Sequence, residues 1–171
     1  MNLLVEKARR LLGRLVYARD GRCLGEVADC LLDDKCRRLA GLVIKAPLWH
    51  RPRYAAARDI SSITSEAVHL RVSRLPYQPI KGRRLFGSGA SLLGKIVVTT
   101  GGTGNGQIKD VLLDRRRLEV WGFEVSDGLV KDVLEGAKYL PRALVGRLAA
   151  EPGHMNAPLI GKHTWRGGER P

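Results

Sequence analysis

Cysteine and histidine are scarce in this chain, acidic residues are outnumbered, and long apolar runs are missing. The three cysteines, Cys23, Cys30 and Cys36, are an odd number and form no C-x-x-C pair. That argues against a disulfide framework or a zinc site and reads them as small apolar thiols. His50, His69, His154 and His163 are scattered without the paired spacing of metal ligands. No stretch reaches the roughly 18 uninterrupted apolar residues that a membrane helix needs. The N-terminal MNLLVEKARRLLG has no continuous apolar core and carries Glu6 and Lys7 early, so it does not read as a secretory signal. A cytoplasmic location is the expectation. Catalytic signatures are missing too: there is no G-x-S-x-G, no H-E-x-x-H and no Cys/His pairing. The expectation is therefore a non-enzyme, with no cofactor, no metal and no small-molecule substrate.

The shortage of acid is the most informative of these. Seventeen Asp plus Glu face 30 Lys plus Arg, a formal net charge of +13 over 171 residues. A field of that sign attracts RNA, DNA, anionic lipid or acidic protein, and says nothing about fold. With 44% apolar and 27% charged residues the composition is ordinary for a globular protein, and the length suits one large domain or two small ones.

What is present is a repeat. LLGRLVYARDGRCLGEVADCLLDDKCRRLAGLVIK (Leu11 to Lys45) aligns without a gap on LLGKIVVTTGGTGNGQIKDVLLDRRRLEVWGFEVS (Leu92 to Ser126), 81 residues later. Leu11, Leu12, Gly13, Val16, Gly21, Gly25, Asp29, Leu31, Leu32, Asp33 and Gly41 meet identical residues, about a third of the aligned length. The repeat decides how the glycine cluster from Gly101 to Gly106 should be read. Its counterpart in the first copy is the Asp20-Gly21 turn between two apolar runs, which has no phosphate-cradle glycines. A phosphate loop would also need a helix to start after the cluster, whereas QIKDVLL reads as strand. The reading is strand, turn, strand in both copies.

Short apolar runs and close turns continue through each copy, and Trp121, Phe123 and Val125 alternate with polar or small residues as a half-buried strand does. The fold class is therefore mainly all-β, a small antiparallel barrel or sandwich per copy. Helical spacing is confined to GLVKDVLEGAKYL (Gly128 to Leu140), behind the N-cap candidate Asp127. The expected domains are residues 1–75, a Pro/Gly linker over 76–91, a second domain over 92–150, and a disordered tail over 151–171.

Taken together, Asp20-Gly21, Gly25-x-Val27-x-Asp29, Gly41-Leu42-Val43 and Asp59-Ile60-x-x-Ile63 resemble the PRC-barrel family, named after the photosynthetic reaction-centre H subunit. A similar domain closes a bacterial ribosome maturation factor. The second copy supplies Gly102, Gly106-x-Ile108-x-Asp110 and Gly122-Phe123, and SDGLVKDVLEGAKYLP is similar to a segment of tandem bacterial members. The resemblance covers roughly residues 9 to 145; the last strand of the second copy, in RALVGRLAAEP, departs from the pattern. It implies a six-stranded β-barrel per copy, with short helices near the C-terminus, no cofactor and no catalytic residues. It further implies binding to a protein, or to RNA and protein together.

Two basic features are candidate binding sites. The turn after each LLD strand is basic: Lys35, Arg37 and Arg38 in the first copy, Arg115, Arg116 and Arg117 in the second. PLWHRPRYAAAR interleaves Trp49 and Tyr54 with Arg51 and Arg53, a mixture that suits base stacking and phosphate contact. The competing reading of both is structural: solubilising charge on exposed turns, and aromatics capping a barrel. The repeated carboxylates Asp29/Asp110 and Asp33/Asp114 fit turn and backbone hydrogen bonding better than acid–base chemistry. A protein partner leads. RNA or a ribonucleoprotein is the alternative, and a membrane surface comes third, resting only on charge and the short LLVEKARRLL.

Overall fold

The computed structural model describes residues 4–48, 50–87, 91–99, 105–126, 138–141 and 154–157. The described residues are mostly strand, with two short 3-10 turns and no α-helix among them. They fall into two units, one of Met1–Leu92 with Leu113–Val120, the other of Leu93–Leu112 with Trp121–Pro171.

The first unit opens with β1 (Val5–Lys7) and a 3-10 turn (Ala8–Leu11). There follow β2 (Leu15–Tyr17), β3 (Cys23–Leu32), β4 (Leu39–Lys45) and β5 (Arg53–Ala56). A second 3-10 turn (Ala57–Asp59) leads to β6 (Ile60–Ile63), β7 (Ala67–Leu70) and the short β8 (Arg83–Arg84). The sheet runs β5-β4-β3-β2-β7-β6, with β8 added beside β3. Neighbours are antiparallel except β2 and β7, which run parallel with Val16 opposite Val68. Among the described residues β5 and β6 do not pair, so the sheet is not closed, although its two edge strands are consecutive and joined by the 3-10 turn.

The hairpin expected at Asp20-Gly21 joins β2 to β3. Gly21 takes φ +81°, which glycine adopts without steric cost, and Ala18 closes the turn with Arg22 through a 2.9 Å backbone bond. Strands β3 and β4 are buried on both faces along Asp29–Leu32 and Gly41–Ile44, as their unbroken apolar runs require. Val16, Val27, Leu42, Ile44 and Val68 form the core. Part of what covers β3 and β4 is the Pro/Gly-rich segment read from sequence as a linker. Leu85 is fully buried, and a Cβ on Gly41 would meet Ile80 at 3.1 Å.

Asp29 holds that segment down. Its carboxylate is 1% exposed and Oδ1 accepts the backbone N–H groups of Cys30, Leu85 and Phe86 at 2.8, 3.2 and 2.8 Å. Oδ2 pairs with Arg84 Nε at 2.8 Å. A carboxylate so deep is tolerated because backbone donors replace its hydration.

The second sheet is made of β9 (Ile96–Thr99), β10 (Asn105–Asp114), β11 (Glu119–Ser126), β12 (Lys138–Pro141) and β13 (His154–Ala157), of which Leu113–Asp114 and Glu119–Val120 count with the first unit. Their order is β12-β11-β10-β9-β13. Ile96 lies opposite Gln107 and Val97 opposite Gly106, the pairings that Leu15 with Glu26 and Val16 with Gly25 make 81 residues earlier. Gly13 N–H donates to Val27 O at 2.8 Å, and Gly94 N–H to Ile108 O at 2.8 Å. Asp110 Oδ1 accepts Val111 N–H at 2.8 Å, as Asp29 accepts Cys30.

The C-terminal expectations need correction where residues are described. Lys138–Leu140, placed by spacing at the end of a helix, belong to β12 and pair antiparallel with Phe123–Val125. Pairing to a free sheet edge outweighs helical spacing in so short a segment. Within the tail expected to be disordered, His154–Ala157 pairs parallel with Ile96–Thr99. Residues 127–137 and 142–153 lie outside the described residues, as does the rest of the tail from 158. Among described residues no helix is long and apolar enough to cross a membrane.

Candidate interaction surface

Arg38 of the first basic turn and Glu119 beside the second are 81 residues apart in sequence, yet the fold sets the two turns side by side. Leu39 N–H donates to Leu118 O at 2.8 Å and Val120 N–H to Arg37 O at 2.8 Å. Between them Arg38 and Glu119 form an antiparallel bridge, and their side chains pair at 3.1 Å. All of these residues belong to the first unit.

Each turn is shaped by the aspartate that precedes it. Asp33 Oδ1 accepts the N–H groups of Arg37 and Arg38 at 2.6 and 3.2 Å. Asp114 Oδ1 accepts those of Arg116 and Arg117 at 2.8 and 3.3 Å. Each turn also holds a non-glycine residue at positive φ, Cys36 at 49° and Leu118 at 56°. Such residues cost about 1–3 kcal/mol and persist only where hydrogen bonds over-determine the backbone. Here Cys36 N–H donates to Asp33 O at 2.9 Å and Leu118 N–H to Asp114 O at 2.8 Å. The backbone carrying the arginines is thus rigid.

The side chains divide. Lys35, Arg37, Arg116 and Arg117 are exposed, and Arg38 is exposed while paired to Glu119. The exposed acid of the first turn, Asp34, pairs with Lys81 at 3.2 Å. Arg115 turns inward instead: it is 17% exposed and its Nε lies 3.6 Å from Glu6, which also receives both Nη atoms of Arg14 at 2.8 and 2.7 Å. It supports the turn rather than adding to its outer charge.

The second candidate group is engaged within the fold. Arg53 donates to Leu75 O at 3.1 Å and to the Tyr77 hydroxyl, and its guanidinium lies 4.0 Å from the Tyr77 ring centroid. Tyr54 is half-buried, with its N–H bonded to Pro76 O at 3.1 Å. Arg51 is exposed, and Trp49 lies outside the described residues. The aromatic that takes the arginine is Tyr77, so the described part of this segment is not an open stacking platform.

All three cysteines are thiols, Cys30 and Cys36 buried and Cys23 exposed. Among the described residues no group of three or more His, Cys, Asp or Glu is placed to hold a metal ion. No family model matches the chain, and no curated protein matches it.

Proposed function

We propose that this is a non-catalytic interaction protein, built of tandem barrels of the PRC type, that docks an acidic protein surface through its joined basic turns. The observation that carries the reading is the backbone pairing of Arg37–Leu39 with Leu118–Val120, which merges two weak basic turns into one patch. Turns already ordered by hydrogen bonds need no backbone ordering on docking, and the planar guanidinium suits bidentate pairing with carboxylates. Protein rather than RNA is favoured because no aromatic lies in either turn to stack on bases. The tandem-barrel part of the reading is supported by the equal strand registers 81 residues apart and by edge strands β5 and β6 that share one turn.

The test compares the wild-type protein with the triple variant Arg37→Glu, Arg116→Glu, Arg117→Glu in lysate pull-downs, with and without nuclease. The expected result is a protein captured by the wild type after nuclease treatment and lost with the variant. Capture that vanishes with nuclease, with direct binding of purified protein to RNA, replaces this reading by the ribonucleoprotein one. Capture unchanged in the variant removes the basic turns from the interface.

A further inference from the structure

At the turn between β2 and β3 the first unit carries a cleft of about 530 Å³, lined by Ala18, Arg19, Gly21, Ser61, His69 and Arg71, with Leu70. We infer that this cleft binds the phosphate group of a small phosphorylated ligand, a phosphomonoester. The inference is independent of the basic turns.

Four observations carry it. First, the parallel pairing of β2 with β7 and the bond from Arg19 N–H to Val72 O at 3.0 Å bring Arg19 beside Arg71, two exposed guanidiniums from opposite ends of the first repeat. Arg71 is anchored by its Nε, which donates to Ile60 O at 3.3 Å. Two neighbouring cations match a dianion, and planar guanidinium forks suit phosphate oxygens. Second, the neighbouring carboxylates are turned to other partners: Asp20 pairs with Arg22 at 2.9 Å and Asp59 lies 4.0 Å from Arg58. Third, the other polar lining can contribute hydrogen bonds. Ser61 supplies a hydroxyl, and His69 is held in place by stacking on Tyr17, ring centroids 5.7 Å apart and 18° from parallel. Fourth, both ladders beside the cleft are irregular, between Val16 and Tyr17 and between Ile60 and Ser62. Bulges re-aim side chains and concentrate beside binding sites. Ser61 sits at the second of them.

The size argues for a small ligand. Pockets for small molecules run from about 300 to 1,000 Å³, so the cleft holds more than a bare phosphate. A diester in a nucleic-acid strand carries one charge and enters and leaves by its chain, whereas a monoester presents two charges at one end.

The test is an amide-resolved NMR titration of the full chain with inorganic phosphate and with a hexose monophosphate, using sodium chloride at matched ionic strength as control. The expected result is saturable shifts at residues 18–21, 61 and 69–71, with the hexose phosphate tighter than phosphate. Arg19→Gln is the clean variant, because its removal breaks no side-chain bond among the described residues. It should weaken binding about tenfold, the loss of one charge-assisted contact. Arg71→Lys, which keeps the charge but not the fork, should weaken it less. Shifts matched by chloride, shifts confined to residues 35–38 and 115–118, or an Arg19→Gln variant that binds as the wild type would each overturn the inference.

Discussion

Removing the Asp29 carboxylate tests how the first sheet is covered. Four donors converge on it, three of them backbone N–H groups, from Cys30, Leu85 and Phe86, and the fourth Arg84 Nε. Leu85 N–H also donates to Cys30 O at 2.9 Å, so it keeps a partner when the carboxylate is lost. Cys30 lies in the β3–β4 ladder opposite Leu42, whereas Phe86, outside any strand, has Asp29 as its backbone acceptor among the contacts described. In Asp29→Ala the Phe86 N–H is stranded at about 1–3 kcal/mol and the other charge-assisted bonds are lost, for a total of about 2–4 kcal/mol. Asp29→Asn keeps an acceptor for the backbone but turns charge-assisted bonds into neutral ones, for a loss of about 2 kcal/mol. Arg84 is 49% exposed, so solvent screens its pairing, and Arg84→Gln should cost about 1 kcal/mol or less. Urea unfolding ranks the three variants. Hydrogen exchange supplies the local readout, with the Phe86 amide losing protection in Asp29→Ala while the centre of β3 keeps it. If Arg84→Gln costs as much as Asp29→Ala, the ion pair and not the backbone clamp holds the segment. If Asp29→Ala costs less than about 1 kcal/mol, the clamp carries no stability and the reasoning fails.

Other outcomes follow from the same contacts. Gly41→Ala places a Cβ 2.4 Å from the backbone oxygen of Ala55, so β5 must move, and a loss of about 1–3 kcal/mol in urea unfolding is expected; an unchanged midpoint would show that β5 gives way freely. The Arg22 side chain, and then its backbone N–H, holds the Asp20 carboxyl below its ordinary value. Because the folded pKa is depressed, the turn's contribution is present at neutral pH and lost as pH falls through the folded value, below the ordinary carboxylate pKa of about 3.9. An NMR titration of Asp20 should show the depression in the wild type and its loss in Arg22→Ala; an identical curve in both would assign the cause elsewhere.

Much of the strand pattern was legible in the sequence because it is local. Alternating or continuous apolar runs bury a strand wherever it pairs, and Asp20-Gly21 makes a turn whatever surrounds it. The 81-residue spacing was equally open to reading, since identical residues face identical needs: Gly13 and Gly94 take the same positive φ, at 78° and 80°. Where local signals were weak they misled. The helical spacing before Leu140 ends in β12, and the segment 76–91 carries in Leu85 a fully buried side chain that composition alone does not mark.

Charge and turn positions were therefore determined by the sequence alone, because charge is a sum over residue identities and a turn depends on residues within a few positions of one another. Which charges face outward was decided only by the tertiary structure. Arg115, Arg116 and Arg117 are alike in sequence, but Arg115 turns inward to lie 3.6 Å from Glu6, across more than a hundred residues of chain, while Arg116 and Arg117 are exposed. Arg53 was engaged by Tyr77, Arg38 came to lie opposite Glu119, and Arg19 met Arg71 and His69 through a parallel strand pair. These juxtapositions are long-range, set by sheet order and register, and no periodicity along the chain encodes them.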